Sequence, residues 1–183
     1  MAAAPLEQQL QVAGLQVVGP CERLSHRPGL LENATLLQDF SSAEADILGA
    51  SMVLVRAQPG QTLIAEGDTS DWLMLLLSGT VDVGKRNVGA EADANEPGEA
   101  TRIAVLREGA TLGEMSMLDG EPRYASCWAI TEVEAAVLTR GAVSSLIQRH
   151  PAIGAKLMVK LTQVLAQRLR NTSNQLVKKL RAG

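Results

Sequence analysis

The stretch 113-GEMSMLDGEPRYASCWA-129 is the part of this chain from which the rest can be read. A Gly-Glu pair opens it, Met115-Ser116-Met117-Leu118 is long enough for one or two helical turns, and Pro122-Arg123 leads into a strand-like run. These residues suit a phosphate ester that carries a sugar. The free N–H groups at the start of a short helix attract an anion, and Gly113 lets the backbone approach it closely. Arg123 adds a permanent cation whose fork can donate two parallel hydrogen bonds to phosphate oxygens. Glu114, aimed into the same pocket, would repel that phosphate unless it bonds a sugar hydroxyl, so the pair fits a ribose phosphate better than a bare phosphate. The plain alternative is an ion pair between Glu114 and Arg123 at a turn.

Upstream, the pattern is one of short strands and turns. Met52-Val53-Leu54-Val55 is strand-like, Pro59-Gly60 is a turn, and Thr62-Leu63-Ile64 is a second strand before Glu66-Gly67-Asp68. Trp72 to Leu77 is an almost wholly apolar run, Ser78-Gly79 makes a tight bend, and Thr80-Val81-Asp82-Val83 alternates. Gly84 to Thr101 is polar and acidic and reads as a flexible, solvated hairpin loop, after which Arg102 to Leu106 resumes the strand pattern. Such a succession implies a β-barrel or β-roll.

With these residues in view, 113–129 resembles the phosphate-binding cassette of the cyclic nucleotide-binding domain family. Gly113, Glu114, Pro122, Arg123, Ala125 and Ser126 match its pattern, and the string from Pro59-Gly60 through Glu66-Gly67-Asp68 to Leu77-Ser78-Gly79-Thr80-Val81 is similar to the family's first strands and turns. The resemblance runs from about Leu30 to Leu180 and is nearest to the ligand-binding part of the bacterial cAMP receptor proteins. It implies an α+β fold: an antiparallel β-roll (double-stranded jelly-roll) with flanking helices and a long C-terminal helix. It also implies that Glu114 binds the ribose 2′-hydroxyl and Arg123 the cyclic phosphate. Gly113, Met115 and Ala125 would complete the cradle. Tyr124 departs from the family, which carries a small residue there. Its ring must turn away, reshape the pocket or obstruct it.

Downstream, Glu132 to Thr139 reads as a strand, Ala142 to Gln148 as a helix stopped before Pro151, and Ala152 to about Leu180 as one long helix. Leu157, Leu161, Leu165 and Leu169 recur at i, i+4 along it, with Leu176 and Leu180 further on. That is more apolar surface than one small roll covers, which points to a homodimer through this helix. In Gln167-Arg168-Leu169-Arg170-Asn171-Thr172-Ser173 the resemblance implies that Thr172 and Ser173 contact the base across the dimer. In the receptors a helix-turn-helix follows, whereas this sequence ends at Gly183, so DNA recognition does not carry over.

Ahead of these elements, residues 1–29 mix Gln, Ala, Gly and Pro and read as an N-terminal arm, partly ordered at best. Residues 30–150 are then the roll with its flanking helices, and 151–183 the long helix. A serine N-cap at Ser41 with Glu44 three residues on starts a helix over Ala43 to Ala50.

At 183 residues with 46% apolar content, the chain is long enough for one domain and its core. A net charge of −3 and pI near 5.4 argue against a surface built as a whole to hold nucleic acid. Cys21 and Cys127 offer no disulfide framework, and Cys127 reads as a small core residue with Trp128 facing the other way, partly exposed. His26 and His150, the only histidines, cannot supply a cupin-type metal site, and no catalytic motif appears. No secretory leader or membrane span is evident. The expectation is a cytoplasmic, non-catalytic cyclic nucleotide sensor without cofactor or metal, acting on an unidentified effector protein. Its ligand is cAMP first, with cGMP or cyclic di-GMP as alternatives. A dimerising scaffold with its pocket obstructed by Tyr124 is the other reading.

Overall fold

The computed structural model describes residues 5–86 and 100–182. In chain order these form α1 (Leu6–Val12), β1 (Gln16–Pro20), α2 (Leu30–Asn33), α3 (Ser42–Gly49), β2 (Val53–Ala57), β3 (Thr62–Ile64), β4 (Trp72–Ser78) and β5 (Thr80–Arg86). They continue as β6 (Ala100–Arg107), β7 (Thr111–Leu112), α4 (Glu114–Asp119), β8 (Ser126–Ala129), β9 (Val133–Thr139), α5 (Arg140–Arg149) and α6 (Pro151–Ala182). Two sheets, ordered β1-β2-β9-β4-β7 and β3-β8-β5-β6, enclose the roll, and their strand pairs are antiparallel. The expected loop from Gly84 to Thr101 begins later and ends sooner, because β5 and β6 pair out to Arg86 and Ala100; its remainder, 87–99, lies outside the described residues.

The apolar run of β4 does not alternate because both its faces are covered. Leu73, Leu75 and Leu77 pack against the helices, while Trp72, Met74 and Leu76 point into the roll. Two cores result, one on each side of this sheet. The outer one is closed by the helical segment around Leu30, Leu36, Leu37 and Leu48 and by Ile153, Leu157 and Leu161 of α6. α3 starts as its sequence indicates: Ser41 Oγ accepts from Glu44 N, and Glu44 returns a carboxylate oxygen to Ser41 N at 2.8 Å. α5 is capped by Thr139 Oγ1, which accepts from Ala142 N, and Pro151 opens α6, where its missing N–H costs nothing.

Residues 5–29 correct the expectation of a partly ordered arm. Leu10 and Leu15 are buried in the interior of the roll, β1 pairs along β2, and Cys21 and Leu24 enter the outer core. The apolar spacing was visible in the sequence, but glutamines and glycines around it masked a segment that is held by burying Leu10 and Leu15 and by pairing along the edge of β2. Trp128 is a second correction. It faces away from Cys127 as expected, yet it is only 7% exposed, lying against Gly84, where a Cβ would stand 3.0 Å from Trp128 Cζ3. A glycine two strand positions away clears the room that buries the ring.

Candidate functional site

The site is built where β7 hands over to α4 and where the chain returns through Pro122 and Arg123. Gly113 is the N-cap of α4 with φ 74°, and a Cβ on it would run into Arg123 Nη1, so both the backbone conformation and the space call for glycine. α4 spans only six residues. Its far end is held by Arg140, which donates Nε to Met117 O and Nη2 to Ser116 O. The Glu66-Gly67-Asp68 turn is tied to the same place, because Arg123 N donates to Asp68 O and Gly67 N donates to Arg123 O. Ser126 Oγ accepts from Glu66 N, so this hydroxyl satisfies backbone of the same turn.

Arg123 is buried, at 3% exposure, and no carboxylate among the described residues touches it. Nε donates to Ser70 Oγ at 2.9 Å, Nη1 to Gly113 O at 2.7 Å and Nη2 to Trp72 O at 2.6 Å. A guanidinium carries five N–H donors, so these three bonds leave two, one on each Nη. Burial pushes its ionisation below the ordinary arginine value, and the nearby charge of Asp68 opposes that shift. The result is a fixed cation with uncommitted donors and no direct counter-charge.

Glu114 is 1% exposed and does not pair with Arg123, so the simple ion-pair alternative is not what the chain builds. Its Oε1 accepts from Arg168 Nη1 of α6, and its Oε2 is buried with no hydrogen-bond partner among the described residues. Arg168 also donates Nη2 to Thr111 O, so the long helix is bolted to the site at both its carboxylate and its backbone. Sequence reading missed Arg168. The available signal was its position one turn before Thr172, since residues four apart share a helix face.

The remaining expected residues lie at the rim. Tyr124 is 58% exposed, and its ring is turned out under Lys85 Nζ, 4.1 Å from the centroid. Lys85 also donates to Tyr124 O and to Glu66 Oε1. Met115 is exposed and Ala125 half-buried. Thr172 and Ser173 are exposed on α6, one turn past Arg168, and form no hydrogen bond with the cassette in this chain. The fold therefore gathers Gly113, Glu114, Arg123 and Arg168, and leaves Thr172 and Ser173 outside that cluster.

Cys127 behaves as a core residue: burial pushes its thiol up to about 12, and that of Cys21 to about 11, so neither is a thiolate near neutrality. Among the described residues no group of three or more His, Cys, Asp or Glu side chains is placed to hold a metal ion. None of the described helices is long and apolar enough to cross a membrane.

Comparison with known proteins places this geometry. The family profile of the cyclic nucleotide-binding domain matches residues 54–150. The CRP-like cAMP-activated global transcriptional regulator of Mycobacterium tuberculosis is 31% identical over 147 residues, covering 80% of this chain and 60% of the regulator. The chain thus spans about three fifths of that relative's length. Among solved structures, a cyclic nucleotide-binding domain from Methylobacillus flagellatus KT superposes with a TM-score of 0.80 at 31% identity, covering 98% of this chain and 97% of that one. The catabolite activator protein of Thermus thermophilus gives 0.67 at 28% identity, over 78% of this chain and 62% of its own.

Proposed function

The chain belongs to the cyclic nucleotide-binding domain family, and from that premise we propose that it is a non-catalytic sensor that captures cAMP between Arg123 and Glu114. The observation that carries the reading is the pairing of opposite deficits on either side of Gly113. Arg123 holds two uncommitted donors, and Glu114 Oε2 is a buried acceptor with nothing to accept from. A buried carboxylate oxygen without a partner is costly. A ribose hydroxyl relieves it while the cyclic phosphate takes the arginine fork, and the amides around Gly113 and Ala125 close the cradle, with Met115 and Tyr124 at its rim.

The relay follows from the same carboxylate. Oε1 holds Arg168 while Oε2 takes the sugar, so ligand and α6 share one anchor, and binding favours the orientation of α6 in which both bonds are made. Beyond residue 170 that helix is exposed and carries Leu176, Val177 and Leu180. Self-association through this face would bring a partner's Thr172 and Ser173 to the base, where hydroxyls can donate and accept along a purine edge. The output is then received by an effector protein in the cytoplasm. The outward turn of Tyr124 favours this reading over a scaffold with a filled pocket.

Calorimetric titration with cAMP, cGMP and cyclic di-GMP tests it. Binding of cAMP at micromolar affinity or better, about −8 kcal/mol, is expected. A folded protein that takes up none of the three would leave the scaffold reading in its place.

A further inference from the structure

Trp72 opens β4, and its indole lies against the Arg123 guanidinium, whose Cζ is 4.4 Å from the ring centroid. Its carbonyl also accepts from Arg123 Nη2 at 2.6 Å. A single residue thus holds the cation by its face and by one edge. Ser70, two residues earlier, and Gly113 hold the other edges.

The indole N–H, however, is buried and has no acceptor among the described residues. Buried tryptophan N–H groups ordinarily find one, and a stranded donor is unfavourable. If Trp72 served only to fill the roll, phenylalanine or leucine would supply the apolar volume without stranding a donor. What those residues lack is the indole face, the best of the aromatic surfaces for a cation. Arg123 needs such a surface more than an exposed arginine does, since it is buried and touches no carboxylate among the described residues.

We propose that Trp72 is a positioning residue of the anion site: its ring fixes the plane of the Arg123 guanidinium, so that the N–H left on each Nη is already aligned for a phosphate before ligand arrives. The inference rests on Arg123 being the phosphate ligand. Preorganisation of this kind raises affinity by removing the cost of ordering a long side chain at the moment of binding.

Two variants separate this role from packing. Trp72→Phe keeps most of the volume and removes the stranded donor, so its thermal midpoint is expected to equal or exceed that of the parent, while its affinity for cAMP falls by about threefold to tenfold with the weaker π face. Trp72→Leu, with no ring, is expected to lose more, and phenylalanine to recover part of the difference. Affinity unchanged in Trp72→Phe, or equal losses in both variants, would overturn the proposal.

A second readout needs no ligand. In the ligand-free protein the Arg123 Nε–H resonance is expected to carry a ring-current shift and the low mobility of an ordered side chain, both diminished in Trp72→Leu, or in Trp72→Phe for mobility alone should the leucine variant not fold. An Arg123 equally ordered without the indole refutes the positioning role even if the parent protein proves not to bind cAMP. Failure of the parent to bind, with Arg123 ordered by Trp72, refutes the sensor reading instead.

Discussion

Arg123 and Tyr124 are neighbours in sequence and opposites in environment. The first is packed inside against Trp72 and the second is turned out beneath Lys85. Exchanging Arg123 for lysine keeps the charge but replaces a planar fork that meets three acceptors with a point charge that can meet few of them at once. Arg123→Lys is therefore expected to weaken cAMP binding by about 10- to 100-fold, the range of one or two charge-assisted hydrogen bonds, as read by calorimetry. Tyr124→Ala is expected to leave the affinity within about threefold of the parent, since an exposed ring contributes little to a pocket it does not enter. A large gain in that variant would instead mean that the ring swings inward in solution.

At the level of elements, the N-terminal segment and the central strands are joined by charge as well as by burial. Glu134 on β9 accepts from Arg27, in the segment before α2, and from Arg56 on β2, each at 2.8 Å. The hydrogen bond from Arg27, followed by that from Arg56, holds its carboxyl below the ordinary 4.5 against the opposing effect of burial. A carboxylate whose folded-state value is depressed contributes stability above its unfolded value and loses it as pH falls through the folded one. The stability difference between parent and Glu134→Gln is therefore expected to be present at pH 6 to 7, at about 1 kcal/mol for a partly exposed pair, and to shrink as pH drops below about 4.5. Denaturant unfolding across that range measures it, and a difference independent of pH would remove the cluster from the account.

On the scale of the whole molecule, α6 is one element with two surroundings. Its first half is core, with Leu157 and Leu161 fully buried and Lys156 and Lys160 paired to Glu44 and Asp39. Past Arg168, which still bonds Glu114 and Thr111, residues 169–181 are exposed, and Leu180 is 74% exposed. A helix without tertiary packing over its last turns is marginal by itself, and the proposed self-association would cover those turns. Replacing Leu176 and Leu180 together by aspartate is expected to convert a dimer to a monomer in sedimentation velocity without lowering the thermal midpoint of the roll. A parent protein that sediments as a monomer would count against self-association through this face.

The family, most of the strands between Val53 and Thr139 and the short helix after Gly113 were legible because they are written locally. Gly113 with its positive φ, the Ser41 capping box, the turn glycines and the run from Trp72 to Leu77 each act through neighbours a few residues away. Long-range packing decided the rest. Whether residues 5–29 fold depended on a free edge at β2 and on core space for Leu10 and Leu15. Trp128 is buried because Gly84 leaves room on the next strand. Arg168 reaches Glu114 across 54 residues of chain. These contacts exist only after the roll closes and α6 folds back along it, so no local pattern of residue types announces them. That Gly113, Glu114 and Arg123 belong to one place was therefore readable from the sequence, while the connection of that place to the rest of the molecule was settled by tertiary structure.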